Sequence, residues 1–192
     1  MWFLYIILLA VILAAIGYTQ FSYLRLKAML TKLPIQNIDF KASSDISVSG
    51  LYKGKSVNIR MSRLGRCSLP YVSFEILINL PFEMHIFRGM KPSWLGFGYE
   101  RIETGNEEID SKYFIEVKGG NVLLIKRYFD LQKQYVVDAI FQNYQPGITR
   151  PWVNMILFNQ SAVEIKIQNF SYKTLISEEI IKNLDLMVKL AA

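Results

Sequence analysis

The sequence predicts an α+β fold: an N-terminal transmembrane helix followed by an antiparallel sheet of hairpins packed against two helices. Three observations predict it. The chain opens on a long uncharged apolar run, continues through repeated stretches in which apolar and polar residues alternate, and contains two stretches with helical apolar spacing. Residues 34–192 are enough for one domain with a real core, and no solenoid-period repeat or Ser/Gly-rich linker divides them.

Residues 1–24, MWFLYIILLAVILAAIGYTQFSYL, contain no charged side chain. At about 1.5 Å per helical residue they reach across a hydrocarbon core of roughly 30 Å. Trp2, Tyr5, Tyr18 and Tyr23 lie near the two ends, where amphipathic rings favour the headgroup layer. A cleaved signal peptide would carry positive charge before its apolar run, whereas Met1 is followed directly by Trp2. Arg25, Lys27 and Lys32 follow the span, and this bias predicts a single pass through the inner (cytoplasmic) membrane, N-terminus out and C-terminal domain cytoplasmic. The lone Cys67 has no partner for an internal disulfide, which agrees with that compartment. Ala10, Ala14 and Gly17, spaced four and three apart, form a candidate face for docking another transmembrane helix.

Residues 22–33 extend the helix as a juxtamembrane stalk until Pro34 stops it, so 1–33 are read as span and stalk and 34–192 as the soluble domain. Val57, Ile59 and Met61 alternate with Ser56, Asn58 and Arg60, and Lys53-Gly54 supplies the turn of a first hairpin. Between Ile46 and Phe74 stand Lys53, Lys55, Arg60, Arg63 and Arg66 with no acidic residue, a candidate surface for lipid headgroups or an acidic partner. A second hairpin is predicted from Val72–Ile78 and Phe82–Ile86 about Pro81. The loop 87–99, FRGMKPSWLGFGY, sets Arg88 and Lys91 beside Met90, Trp94, Leu95 and Phe97. Such a loop either folds back over the core or presents an aromatic and basic contact to a partner or membrane.

Thr104-Gly105-Asn106 marks a tight turn before Asp110, and a strand over 113–118 ends at Gly119-Gly120. Asn121 then caps a helix running to about Tyr144, with Val122, Ile125, Phe129, Val136 and Ile140 on its apolar side. A last hairpin covers 152–158 and 163–168. Ser177 caps a closing helix with a buried stripe of Ile180, Ile181, Leu184, Met187 and Val188.

With these elements in place, the chain resembles a widespread group of uncharacterised bacterial single-span membrane proteins with a C-terminal α+β domain. The resemblance rests on the N-terminal span, on Gly50, Tyr52, Gly54 and Val57 in the spacing G-x-Y-x-G-x-x-V, and on Thr104-Gly105-Asn106 leading to Asp110, Phe114 and Val117. It implies the same architecture. It supplies no catalytic residue.

Motifs of known chemistry are missing from the sequence. G-x-S-x-G, H-E-x-x-H and C-x-x-C do not occur, and His85 is the single histidine, on the polar phase of its strand. Glu107, Glu108 and Asp110 lack the alternation of a calcium loop, and Gly119-Gly120 lacks the rest of a phosphate-binding fingerprint. No catalytic residue, cofactor or metal is therefore assigned. The net charge of +6 is partly juxtamembrane, so an anionic lipid surface accounts for it more simply than nucleic acid. The expected function is a membrane-anchored accessory or scaffolding subunit that binds other subunits of a membrane complex and is not an enzyme. The alternatives are an envelope- or lipid-associated enzyme built on the 100–110 carboxylates and a ligand-sensing domain that signals through the stalk.

Overall fold

Period-two alternation gives each strand one apolar face, and strands of this kind are stable only when several pair and that face is covered. A computed structural model of the protein describes residues 24, 27–42, 45–62, 71–89, 98–144, 152–169 and 177–192. Nine strands form one sheet: β1 (Gln36–Ala42), β2 (Asp45–Tyr52), β3 (Lys55–Ser62), β4 (Tyr71–Leu77), β5 (Glu83–Arg88), β6 (Glu100–Arg101), β7 (Tyr113–Lys118), β8 (Trp152–Asn159) and β9 (Ala162–Gln168). Their order is β1-β2-β3-β4-β9-β8-β5-β7-β6, with antiparallel neighbours throughout. Among the described residues, beyond the helical turn at 27–30, the helices are α1 (Glu107–Lys112), α2 (Val122–Tyr128), α3 (Leu131–Asn143) and α4 (Ser177–Leu190). The α+β class with an antiparallel sheet is thus the observed one.

The first hairpin forms as its sequence predicts. Lys53 and Gly54 both adopt positive φ, 49° and 77°, the geometry of a two-residue turn whose twist matches the flanking strands. The predicted second hairpin does not form. β4 pairs with β3 and β9, and β5 pairs with β8 and β7, so the β8–β9 hairpin is inserted between them. The connecting segment crosses the end of that hairpin, where the Ile78 and Leu80 N–H groups donate to the Ser161 and Gln160 carbonyls. Pro81 follows without an N–H to place, and the chain is free to turn out of the ladder.

The helix predicted from Asn121 to Tyr144 is two helices. Asn121 caps α2, its side chain accepting from the Leu123 N–H at 2.8 Å, but Phe129 leaves helical geometry and Asp130 starts α3 by accepting from the Lys133 N–H at 2.9 Å. Phe129 and Ile125 are buried, whereas Val122, placed on the apolar side in the sequence reading, is exposed. The structure adds α1, β1 and the two-residue β6 to the elements that the sequence pattern predicts.

One sheet face carries the core. Val57, Ile59 and Met61 of β3, Val72, Phe74 and Ile76 of β4, and Val163, Ile165 and Ile167 of β9 are all buried beneath the helices. α4 seats Ile180, Leu184, Met187 and Leu190 there, and α3 adds Val137, Ile140 and Phe141. The stalk joins the same core, because Leu30 and Leu33 are buried with Ile35. The span itself, residues 1–24, lies outside the described residues except for Leu24. Among the described residues no helix is long and apolar enough to cross a membrane.

Gly50 shows why β1 can pair so closely. A Cβ there would stand 2.5 Å from Ile35 Cγ2 and 2.6 Å from the Gln36 carbonyl oxygen, and the latter is backbone that cannot swing aside. Gly50→Ala is expected to cost about 2 kcal/mol through this overpacking, read as a lower urea midpoint at unchanged slope. An unchanged midpoint would mean that β1 is not held against β2.

Candidate functional site

The sheet face opposite the helices divides into two parts. Over β1–β4 and β9 it is polar and open, with Lys41, Ser47, Ser49, Asn58 and Arg60 around a shallow concavity of about 670 Å³. Over β5 and β7 it is closed, with His85, Phe87 and Glu116 all buried. The alternation that faces apolar residues to the helices puts these polar residues on the other side of the same strands.

On the open part, cross-strand register sets Glu75 opposite Glu164 and Ser73 opposite Lys166, with Arg60 opposite Ser73 on the next strand. Asn58 donates to Glu75 at 2.9 Å. Burial, and then the neighbouring Glu75 carboxylate, push the Glu164 carboxyl above its ordinary value, while Lys166, Arg60 and the Ser73 hydroxyl pull the other way. On the closed part, His85 Nδ1 lies 3.2 Å from Glu116 Oε1 and its ring stacks on Tyr99 at 4.3 Å. The Tyr99 hydroxyl donates to Glu83, and burial followed by that bond pushes the phenol up to about 12. His85 is therefore a buried cross-strand member of the sheet.

Several predicted contact residues are engaged within the domain. Arg88 donates to the Phe141 carbonyl and lies 5.3 Å from that ring, so it ties β5 to α3. Lys53 pairs with Asp185 at 2.6 Å, and Lys55 donates to the Ala191 carbonyl at 3.2 Å. Arg60 stands exposed on the open face. Lys27 places its ammonium 5.7 Å over Phe40, and Lys32 is exposed. Met90, Lys91, Trp94, Leu95, Phe97, Arg63, Arg66, Arg25, Ala10, Ala14 and Gly17 lie outside the described residues. The structure brings Lys53 and Lys55 together at one end of the sheet and sets Arg60 apart from them along β3.

Of the carboxylates of 100–110, Asp110 serves the turn and Glu108 pairs with Lys112 at 2.7 Å. Asp110 accepts from the Thr104 N–H, the Thr104 hydroxyl and the Gly105 N–H at 2.9, 2.9 and 3.0 Å, and Asn106 caps α1 through the Glu108 N–H. Among the described residues, no three His, Cys, Asp or Glu side chains converge as metal ligands.

One surface escaped the sequence reading. Val122, Leu123, Leu124, Leu131 and Tyr135 are large apolar side chains exposed on α2 and the start of α3, Leu123 at 75%. Three consecutive apolar residues at the start of a helix cannot all face one core, and that signal was available in the sequence.

No protein-family model and no curated protein matches the chain. Its fold is similar to a solved structure described as the crystal structure of the mycobacterial trehalose monomycolate transport factor A, TtfA. That likeness has a TM-score of 0.51 at 9% sequence identity and covers 80% of this chain and 85% of the other. At such identity it shows the fold alone.

The Glu75–Glu164 pair yields a pH signature. A carboxyl whose folded pKa is raised binds its proton more tightly folded than unfolded. Its stabilising share is present below the ordinary value of 4.5 and is lost as pH rises through the folded value. Glu164→Gln should therefore flatten the decline in stability as pH rises from 4.5 and leave the protein at least as stable as wild type at neutral pH, as read by thermal unfolding across that range. A variant less stable than wild type at neutral pH would show that the charged form is favoured.

Proposed function

We propose that this protein is a membrane-anchored, non-enzymatic accessory subunit that holds its domain in a fixed pose beside other members of a membrane complex. The observation that carries this reading is the joint between the two parts. The uncharged run 1–24 leads into a stalk whose Leu30 and Leu33 are buried in the domain core, 0% and 4% exposed, with Ile35 beside them at 6%. A domain tethered by a loose linker samples many orientations, whereas one whose core includes the stalk keeps a defined orientation toward the segment it follows. That suits a scaffold.

In this reading residues 1–24 span the inner membrane N-out, and the domain is cytoplasmic. Ala10, Ala14 and Gly17 dock against a neighbouring span, where small residues let backbones approach. The open polar sheet face is the surface offered to partners. The likeness in fold to a transport factor supports an accessory role, since the solved relative is described as a factor in transport.

Two measurements test it. Extraction from native membrane in mild detergent should show the protein in a species much larger than its own 22.2 kDa plus micelle, and Ala14→Leu or Gly17→Leu should release it. A monomer under the gentlest extraction would overturn the reading. A reporter fused after Ala192 should be active in the cytoplasm, and activity confined to the exterior would reverse the topology.

A further inference from the structure

The exposed apolar corner of α2 and α3 lies at the end of the sheet where the stalk enters. Register places the start of β1 against the end of β2, Gln36 opposite Leu51, and carries that end across the sheet through Lys55, Leu77, Ala162 and Glu83 to Lys118. α2 begins four residues after Lys118. Direct contacts close the circuit. Tyr128 of α2 packs edge-on to Phe82 at 5.4 Å and donates to the Leu190 carbonyl at 2.6 Å, and the next residue, Ala191, accepts from Lys55 at the start of β3.

This corner is also basic. Lys126 and Arg127 are exposed beside Val122, Leu123 and Leu124, and Lys133 lies 4.6 Å over the Tyr128 ring. Asp130 is the single acid from 121 to 135, and it caps α3. Apolar side chains flanked by cations match an anionic lipid interface, where the former enter the acyl boundary and the latter meet phosphate. A protein groove of acidic character offers the same charge, but the place of this corner at the end of the sheet where the stalk enters favours the bilayer.

We propose that the α2–α3 corner is a second membrane contact, with Leu123 and Leu124 inserted into the interface of an anionic leaflet and Lys126 and Arg127 on its phosphates. The proposal rests on the reading that residues 1–24 anchor the chain. It goes further by fixing which end of the domain lies on the bilayer.

The test uses the full-length protein in vesicles of phosphatidylcholine, with or without phosphatidylglycerol. In a Cys67→Ser background, Leu123→Cys and Lys41→Cys each carry an environment-sensitive fluorophore, and lipids with a quencher in the acyl chain report insertion. Lys41 is exposed and lies toward the opposite end of β1. The label at 123 should be quenched in anionic vesicles and the label at 41 should not. Replacing Lys126 and Arg127 with Gln should lower the ratio of docked to undocked corner roughly 30-fold. A label at 123 that stays in water while the protein resists an alkaline wash would overturn the proposal, as would equal quenching at 41. An apolar environment at 123 arising only as protein density rises in neutral micelles would assign the corner to a second copy. Loss of the protein in the alkaline wash would instead overturn the anchor beneath both readings, so the two failures are told apart.

Discussion

Covering one face of a nine-stranded sheet is the constraint on which the rest of the fold depends. Every strand from β2 to β9 except the short β6 sends alternate apolar residues to the same side, and α3 and α4 are the principal layer over them. Apolar contact supplies the bulk of the stabilisation, but it does not fix the angle at which a helix lies. Four tyrosines do that. Tyr52 donates to Asp185, Tyr113 to Asp138, Tyr128 to the Leu190 carbonyl and Tyr144 to Glu179, while Asn183 donates to Tyr144. Each phenol has its ring in the apolar layer and its hydroxyl paired with a fixed acceptor, so the hydrogen bond offsets the burial of the hydroxyl and locks position. Burial, and the partner carboxylate after it, raise the Tyr52 phenol to about 12, so it donates throughout the physiological range.

The residues that carry the resemblance to single-span bacterial proteins turn out to sit at the joints of this arrangement. Gly50 allows β1 to close on β2, Gly54 turns the hairpin at φ 77°, Tyr52 reaches α4, and Val57 is core. Gly105 turns at φ 87°, Asp110 gathers the Thr104-Gly105 turn, and Val117 is buried. A pattern made of turn glycines, a tethering phenol and buried aliphatics describes how a sheet is closed.

Local chemistry made much of this legible in the sequence and non-local pairing did not. Period-two alternation locates β3, β4, β5 and β9, and Lys53-Gly54 announces its turn. The separation of β4 from β5 depends on the β8–β9 hairpin some seventy residues later, a preference that neither strand shows by itself. The break between α2 and α3 is signalled by Asp130, an N-cap residue, but the helical apolar spacing continues across it from Ile125 and Phe129 to Val136 and Ile140 and masks the stop. β6 escaped because two residues carry no period. His85 sat on the predicted polar phase, yet it is buried, because that phase is covered at β5 and β7 and open at β3 and β4.

That difference between the two halves of one sheet face bears on how the domain meets its surroundings. Were the whole face polar and open, any edge or orientation would serve for contact. Instead the β5–β7 half is closed by buried aromatic and polar groups, and the open half is confined to the strands nearest the stalk, since β1 follows it directly. Leu30 and Leu33 are buried in the core, so the open face keeps a set direction relative to residues 27–33. Under the proposed lipid contact of the α2–α3 corner at the same end, the open face would stand roughly edge-on to the bilayer rather than flat against it. A partner that meets it would then be a neighbour in the membrane plane, not a ligand trapped between domain and lipid.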